Sequence, residues 1–317
     1  MKIASLTGPK EFQLQEEPLP ALLPDEVLVR VTACGVCTSE LDLWEGKAGT
    51  DLYPRYPGHE VSGVVADVGK DVEGLTPDDR VAVWAPGRGF AEFVIVKAKY
   101  CFPAGDLPLD LALAEPLACA VNTVEMANLS LSDDVVIIGA GFMGNLVQKL
   151  VAMQGPRRLI VADTRPDALE RALRLGATDV VDVTKESLPE VVKSLTDGKG
   201  ADAAFEVVGG QAPLTLLGEV TRMSGKVVIV GYHQGEPRQI PLGYWNWMAF
   251  QILNAHFREE TTILRGMRIG MRLLTSRRMS LDDLVTHRFQ LSEINQAFRT
   301  AYEKPQGFVK STVLMQN

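Results

Sequence analysis

The pattern of apolar and polar positions changes twice along the chain. Up to about residue 117, short apolar or alternating runs are cut by Gly, Pro and Asp: EVLVRVTA at 26–33, EVSGVVADVG at 60–69, RVAVWA at 80–85 and AEFVIVKA at 91–98. Short strands separated by turn signals predict an irregular β-barrel or sandwich. From about residue 130 the texture alternates between strand and helix. DVVIIGA (134–140) reads as a buried strand, followed by a helix running to Gln154 and closed by Gly155. RLIVAD (158–163) is the next strand. Thr164 is the expected N-cap of the helix after it, with Pro166 at or near the first helical position. DVVDV (179–183), ADAAFEVVG (201–209), KVVIVG (226–231) and FQILNAHF (250–257) supply the remaining strands. Repeated β-α units with apolar strands predict a parallel sheet covered on both faces. From about residue 259 the character is mixed again, with an amphipathic helix in TTILRGMRIGMRLLTSRRM, a second helix capped by Ser292, and a closing strand in FVKSTVLM.

A length of 317 residues fits two domains better than one. The net charge of −8 and the lack of a basic run argue against a nucleic-acid partner. No stretch of eighteen apolar residues predicts a membrane span, and MKIASLTGPKEF has no signal-like apolar segment, so the expected location is the cytoplasm. Four cysteines, Cys34, Cys37, Cys101 and Cys119, then read as free thiols or metal ligands rather than a disulfide framework.

Gly139-Ala140-Gly141-Phe142-Met143-Gly144 matches G-x-G-x-x-G directly after a strand and at the opening of a helix. That context makes it a dinucleotide fingerprint: Gly139 for the tight turn, Gly141 for close approach to a pyrophosphate, Gly144 for helix–strand packing. Asp163 ends the second strand, where a carboxylate accepts from ribose hydroxyls and repels a 2′-phosphate, so NAD is expected over NADP. Arg165 is the counter-signal, since a guanidinium there suits a 2′-phosphate. The competing reading of Asp163 is a turn or capping residue.

Cys37, His59, Glu60 and Glu115 offer a thiolate, an imidazole and carboxylates, a donor set that suits tetrahedral zinc with room for a substrate oxygen. Spacing alone does not identify them, because they are spread over about eighty positions. Cys34 and Cys37 form C-x-x-C, yet a zinc knuckle lacks its second pair, and a redox pair belongs at a strand–helix junction of the α/β part. Cys119 reads as a small buried hydrophobe.

Taken together, A-C-G-V-C-x-S, P-G-H-E with a glycine three residues on, D-R-V-A-V, F-A-E-F, E-P-L, the fingerprint with Asp163, and T-H-R-F-x-L-x-E-I-N-x-A-F make the chain resemble the zinc-containing alcohol dehydrogenase branch of the medium-chain dehydrogenase/reductase superfamily. The resemblance spans nearly the whole chain in order. It implies an α/β protein with a GroES-like β-rich catalytic domain over 1–117, completed by 259–317, and a six-stranded parallel Rossmann domain over 118–258, with the site in the cleft between them. It implies one catalytic zinc on Cys37, His59 and an acidic third ligand, Glu115, with Glu60 alternating or supporting. An acidic third ligand resembles the sorbitol, threonine and butanediol dehydrogenases and points to a secondary alcohol, polyol or cyclitol as substrate. Ser39 matches the hydroxyl that takes the substrate proton. Trp44 matches a pocket-lining aromatic, with core packing as the alternative. Lys310 falls where a basic residue meets the pyrophosphate. Val208, Gly231 and Tyr232 fall in loops lining the ribose and nicotinamide. The family's pairing of the FQILNAHF strand implies a homodimer or homotetramer.

Two departures stand out. The stretch VIVKAKYCFPAGDLPLDLAL holds Cys101 alone, where many relatives carry four cysteines, so no structural zinc is expected. Asp42 stands where the family usually has a relay histidine. The rival readings are a zinc-free quinone or enone reductase of the same superfamily, and a non-catalytic cofactor-binding protein on the same fold.

Overall fold

Five consecutive buried residues, Asp134–Ile138, form the central strand β8 of a parallel sheet. In the computed structural model, which describes residues 1–47 and 53–315, β8 is flanked by β9 (Arg158–Asp163) and β11 (Ala201–Glu206). The sheet continues through β10 (Asp179–Asp182) on one side and β12 (Thr221–Ile229) and β13 (Gln251–Asn254) on the other. Its order is β10-β9-β8-β11-β12-β13, all parallel, which is the doubly wound arrangement with its switch point at β8. Helices α3 (Phe142–Ala152), α4 (Pro166–Arg174), α5 (Leu188–Leu195) and α6 (Gln211–Val220) make the crossovers. Burial on both faces explains why these strands read as continuous apolar runs.

The remaining strands form a second body. A seven-stranded sheet runs β14 (Val285–Gln290), β15 (Lys310–Leu314), β3 (Glu26–Gly35), β4 (Glu60–Val68), β5 (Arg80–Trp84), β7 (Cys101–Pro103), with β6 (Phe93–Lys97) pairing β3. β1 (Lys2–Gly8) and β2 (Glu11–Glu16) make a hairpin beside it. α9 (Ile294–Glu303) buries Ile294, Ala297, Phe298 and Ala301 in the core of this body. The chain divides into two compact units, residues 1–118 with 264–317, and residues 119–263. It passes between them within α2 (Ala114–Ala127) and α8 (Glu260–Thr275). None of the described helices is long and apolar enough to cross a membrane.

Local expectations differ from the structure at helix starts. The cap of α4 is Arg165 rather than Thr164, with Pro166 opening the helix. A short turn over Leu291–Glu293 precedes α9, so Ser292 sits inside that turn and Glu293 caps the helix.

Candidate metal centre and nucleotide fingerprint

β3 ends at Gly35, and two residues later Cys37 takes extended backbone and caps the seven-residue helix α1 (Thr38–Trp44). β4 begins at Glu60, paired with Gly35 across the sheet. These two junctions bring together residues far apart in sequence. One ligand atom each from Cys37, His59 and Glu60 lie within 4.8 Å of one another. A soft thiolate, an imidazole and a carboxylate at that separation fit a single tetrahedral zinc. Glu115, in the first turn of α2, is outside that group but feels the same charges. Burial pushes its carboxyl up to about 7; His59 pulls it down, while Glu60 adds to the rise.

The imidazole is held from behind. Glu40, buried in α1, accepts from the Gly58 N–H at 2.6 Å and pairs with His59 Nδ1 at 2.9 Å. The Cys37 N–H lies 3.4 Å from its other oxygen. This is the carboxylate–histidine pairing that fixes a metal-ligating imidazole and leaves the other ring nitrogen for the ion. Burial opposes the charge on both partners. It is outweighed in each case: the Glu40 carboxylate, with Cys37, holds His59 well above its ordinary value, and His59 with two backbone N–H groups holds Glu40 below its own. Ser39 is exposed and its Oγ donates to Cys37 Sγ at 3.3 Å.

Glu60 is 1 % exposed and pairs with the buried Lys310 of β15 at 2.6 and 2.7 Å, one contact to each carboxylate oxygen. Such a pair is costly to desolvate and costlier to break, about 3–5 kcal/mol when one partner is removed. Gly35 makes room for it: a Cβ there would stand 2.0 Å from Glu60 Oε2. Lys310, assigned to a pyrophosphate by resemblance, thus has its ammonium on Glu60, in the metal group.

Trp44 sits in the core of the first unit. It is 3 % exposed and packs in the core against Phe298 and Tyr302, with the Lys10 ammonium 5.4 Å over its ring. It faces inward because α1 is amphipathic and buries Leu41 and Trp44 in the same core as the apolar face of α9. Asp42, on the same helix, pairs with Lys47 at 3.2 Å. Cys34 is fully buried and outside the metal group.

In the other unit, Gly139 has φ +109 and Gly141 caps α3. A Cβ on Gly144 would stand 1.9 Å from the Gly139 carbonyl, so the third glycine lets helix and strand close. Phe142 and Met143 are half-buried in the first turn. The N-terminus of an eleven-residue helix carries the partial positive charge that suits a phosphate. Asp163 accepts from the Ala140 N–H at 2.7 Å and the Arg165 N–H at 2.9 Å, and Arg165 Nε lies 3.5 Å away. Val208 and Tyr232 are well exposed on loops following β11 and β12, and Gly231 is buried between them.

Two buried, hydrogen-bonded carboxylates, Glu40 and Glu206, escaped the sequence reading. Glu40 was legible as the residue three past Cys37 at a helix start, the capping position from which a carboxylate reaches back to the cap N–H. Glu206 was legible only as the second charge, after Asp202, of the largely apolar strand ADAAFE.

Comparison with known proteins agrees with this architecture. Residues 23–106 match the alcohol dehydrogenase GroES-like domain, and residues 143–268 match the zinc-binding dehydrogenase domain. Human sorbitol dehydrogenase is 28% identical over 92% of this chain and 90% of the relative. L-threonine 3-dehydrogenase of Ruegeria pomeroyi is 29% identical over 94% and 95%. Among solved structures, alcohol dehydrogenase TADH from Thermus sp. ATN1 superposes with a TM-score of 0.87 at 26% identity, covering 100% of both chains. With both domain models matched in order and relatives of this kind aligned along nearly its full length, the chain belongs to the zinc-containing alcohol dehydrogenase branch of the medium-chain dehydrogenase/reductase superfamily.

Proposed function

We propose that the protein is a cytoplasmic, zinc-dependent dehydrogenase that transfers hydride between NAD and a secondary alcohol, polyol or cyclitol. The observation that carries the reading is the convergence of Cys37, His59 and Glu60 with Glu40 bonded behind the imidazole. These residues, with Glu115 as the acidic alternative beside them, would hold one zinc. When bound, the ion supplies a Lewis acid that polarises an alcohol oxygen and lowers its pKa. Ser39 is placed beside Cys37 and open to solvent, so its hydroxyl can take the substrate proton and pass it outward. Asp42, on the next turn of α1, is the acceptor beyond it, held by Lys47. Lys310 neutralises Glu60 and so sets how freely that carboxylate serves as a ligand. In the second unit, α3 would take the pyrophosphate and Asp163 the adenosine ribose. The relatives' names support the substrate class: sorbitol is a polyol, and position 3 of L-threonine is a secondary alcohol.

The test is a screen of alcohols, polyols and cyclitols with NAD or NADP, following absorbance of the reduced cofactor. Turnover of a secondary alcohol with NAD is expected. Reduction of quinones or enones alone, or faster turnover with NADP, would replace the reading with that of a zinc-free reductase or shift weight from Asp163 to Arg165.

A further inference from the structure

The carboxyl end of the parallel sheet holds another buried carboxylate, one that the zinc chemistry does not use. Glu206, the last residue of β11, is 0 % exposed. Its Oε1 accepts from the Val208 and Gly209 N–H groups, both at 2.7 Å. Its Oε2 lies 2.8 Å from His233 Nε2, and its backbone carbonyl accepts from the Val230 and Gly231 N–H groups at 2.9 Å. One residue therefore ties the loop after β11 to the loop after β12. The two loops touch so closely that side chains are excluded between them: a Cβ on Gly231 would stand 2.2 Å from the Gly209 nitrogen and 2.6 Å from Glu206 Oε2. Arg238 adds a second tie, donating to the Gly209 carbonyl at 3.2 Å.

The clamp faces the fingerprint. Val208 reaches over Gly139, where a Cβ would meet its Cγ2 at 2.6 Å. Val208 and Tyr232 stand open on the two tied loops, and Tyr232 is backed by the His256 ring at 5.5 Å. A fully buried carboxylate is kept only where it is well bonded, and this one gives one oxygen to loop backbone and the other to the His233 ring.

We infer that Glu206 and His233 are positioning residues that hold the 207–209 and 231–233 loops in the one arrangement able to receive the nicotinamide half of the cofactor. This rests on the NAD reading above. The adenosine half is served by other residues, α3 and Asp163, so the two halves of the cofactor separate the consequences. The experiment compares binding of NADH, by fluorescence, with binding of ADP, by calorimetry, in the full-length protein and in Glu206→Ala, Glu206→Gln and His233→Ala. Glu206→Ala strands two backbone N–H groups and the imidazole, and His233→Ala removes one link. NADH should weaken by about tenfold in the first and about threefold in the second, with ADP held within about twofold in both. Glutamine keeps an oxygen for the two N–H groups and an amide for the ring, so Glu206→Gln should recover most of the NADH affinity; it and His233→Ala carry the test if the alanine variant at 206 does not fold. Equal loss of NADH and ADP, or loss of neither, overturns the inference while leaving the cofactor reading intact. A wild-type protein that binds ADP and NADH not at all overturns that reading and the inference with it.

Discussion

Removing Glu40 tests whether the metal group is organised from behind. Glu40→Ala deletes the acceptor for the Gly58 N–H and the partner of His59 Nδ1. Leaving such buried donors unpaired costs about 1–3 kcal/mol each, so a net loss of about 3 kcal/mol is expected. In a unit of this size, that lowers Tm by roughly 6–12 °C. Loss of a carboxylate behind a metal-ligating histidine costs about 10–100-fold in metal affinity, or about 1.4–2.8 kcal/mol. Glu40→Gln keeps an oxygen for the Gly58 N–H and His59 while removing the charge and the long contact with the Cys37 N–H, so it reads mainly the electrostatic part. The sign of the pH dependence follows from the two shifts. His59 is raised above its ordinary 6.5, so its contribution in metal-free protein is full below 6.5 and is lost as pH rises through the higher folded value. Glu40 is lowered from 4.5, so its contribution is present above 4.5 and is lost as pH falls through the lower folded value. Metal-free wild type should therefore lose Tm from mildly acid toward alkaline pH, and Glu40→Gln should flatten that decline. Zinc competition titration and thermal melts of metal-free protein are the assays. Unchanged zinc affinity in both variants, with an unchanged pH profile in Glu40→Gln, would refute the reasoning.

Asp163→Gly should weaken NAD and improve NADP, read as the ratio of kcat/KM values; a wild type that already prefers NADP contradicts the role given to the carboxylate. Burial pushes the Cys101 thiol up to about 12 and Cys34 well above the ordinary thiol range, so brief iodoacetamide treatment of native metal-free protein should label Cys37 and spare both, with zinc protecting Cys37; mass spectrometry checks each site. β13 is an edge strand with Ile252 half-exposed, and Trp247 and Leu242 stand exposed on α7 (Leu242–Trp247) just before it, a surface that invites pairing with a second copy. Light scattering should show a dimer or tetramer that Ile252→Lys weakens, and a monomeric wild type at micromolar concentration would contradict this.

The sequence was most readable where one residue's neighbours in the chain are also its neighbours in space. RLIVAD is β9 from end to end, and the fingerprint sits at the β8–α3 turn, because buried parallel strands and the glycine turn are local patterns. The metal group was legible only through the company its motifs keep, since Cys37, His59 and Glu60 converge through pairing of β3 with β4. The Glu60–Lys310 pair joins residues 250 positions apart, and no periodicity announces it. Trp44 was ambiguous for the same reason: LDLWEG serves a pocket wall or a core helix equally well, and its packing against Phe298 of α9 is not written in the local sequence. Glu40 and Glu206 were missed because an acidic residue at a helix start or strand end reads as an ordinary solvated charge until its burial is known.

The central claim is that one zinc, held at Cys37, His59 and an acidic neighbour, is required for alcohol oxidation. The most direct measurement pairs metal content with turnover, using the best secondary alcohol from the screen and NAD, for wild type and Cys37→Ser, before and after chelation and after adding zinc back. The account predicts one zinc per chain in wild type, activity lost on chelation and restored by zinc, and a Cys37→Ser protein that still binds NADH but retains neither zinc nor turnover. Full turnover by metal-stripped Cys37→Ser would contradict it.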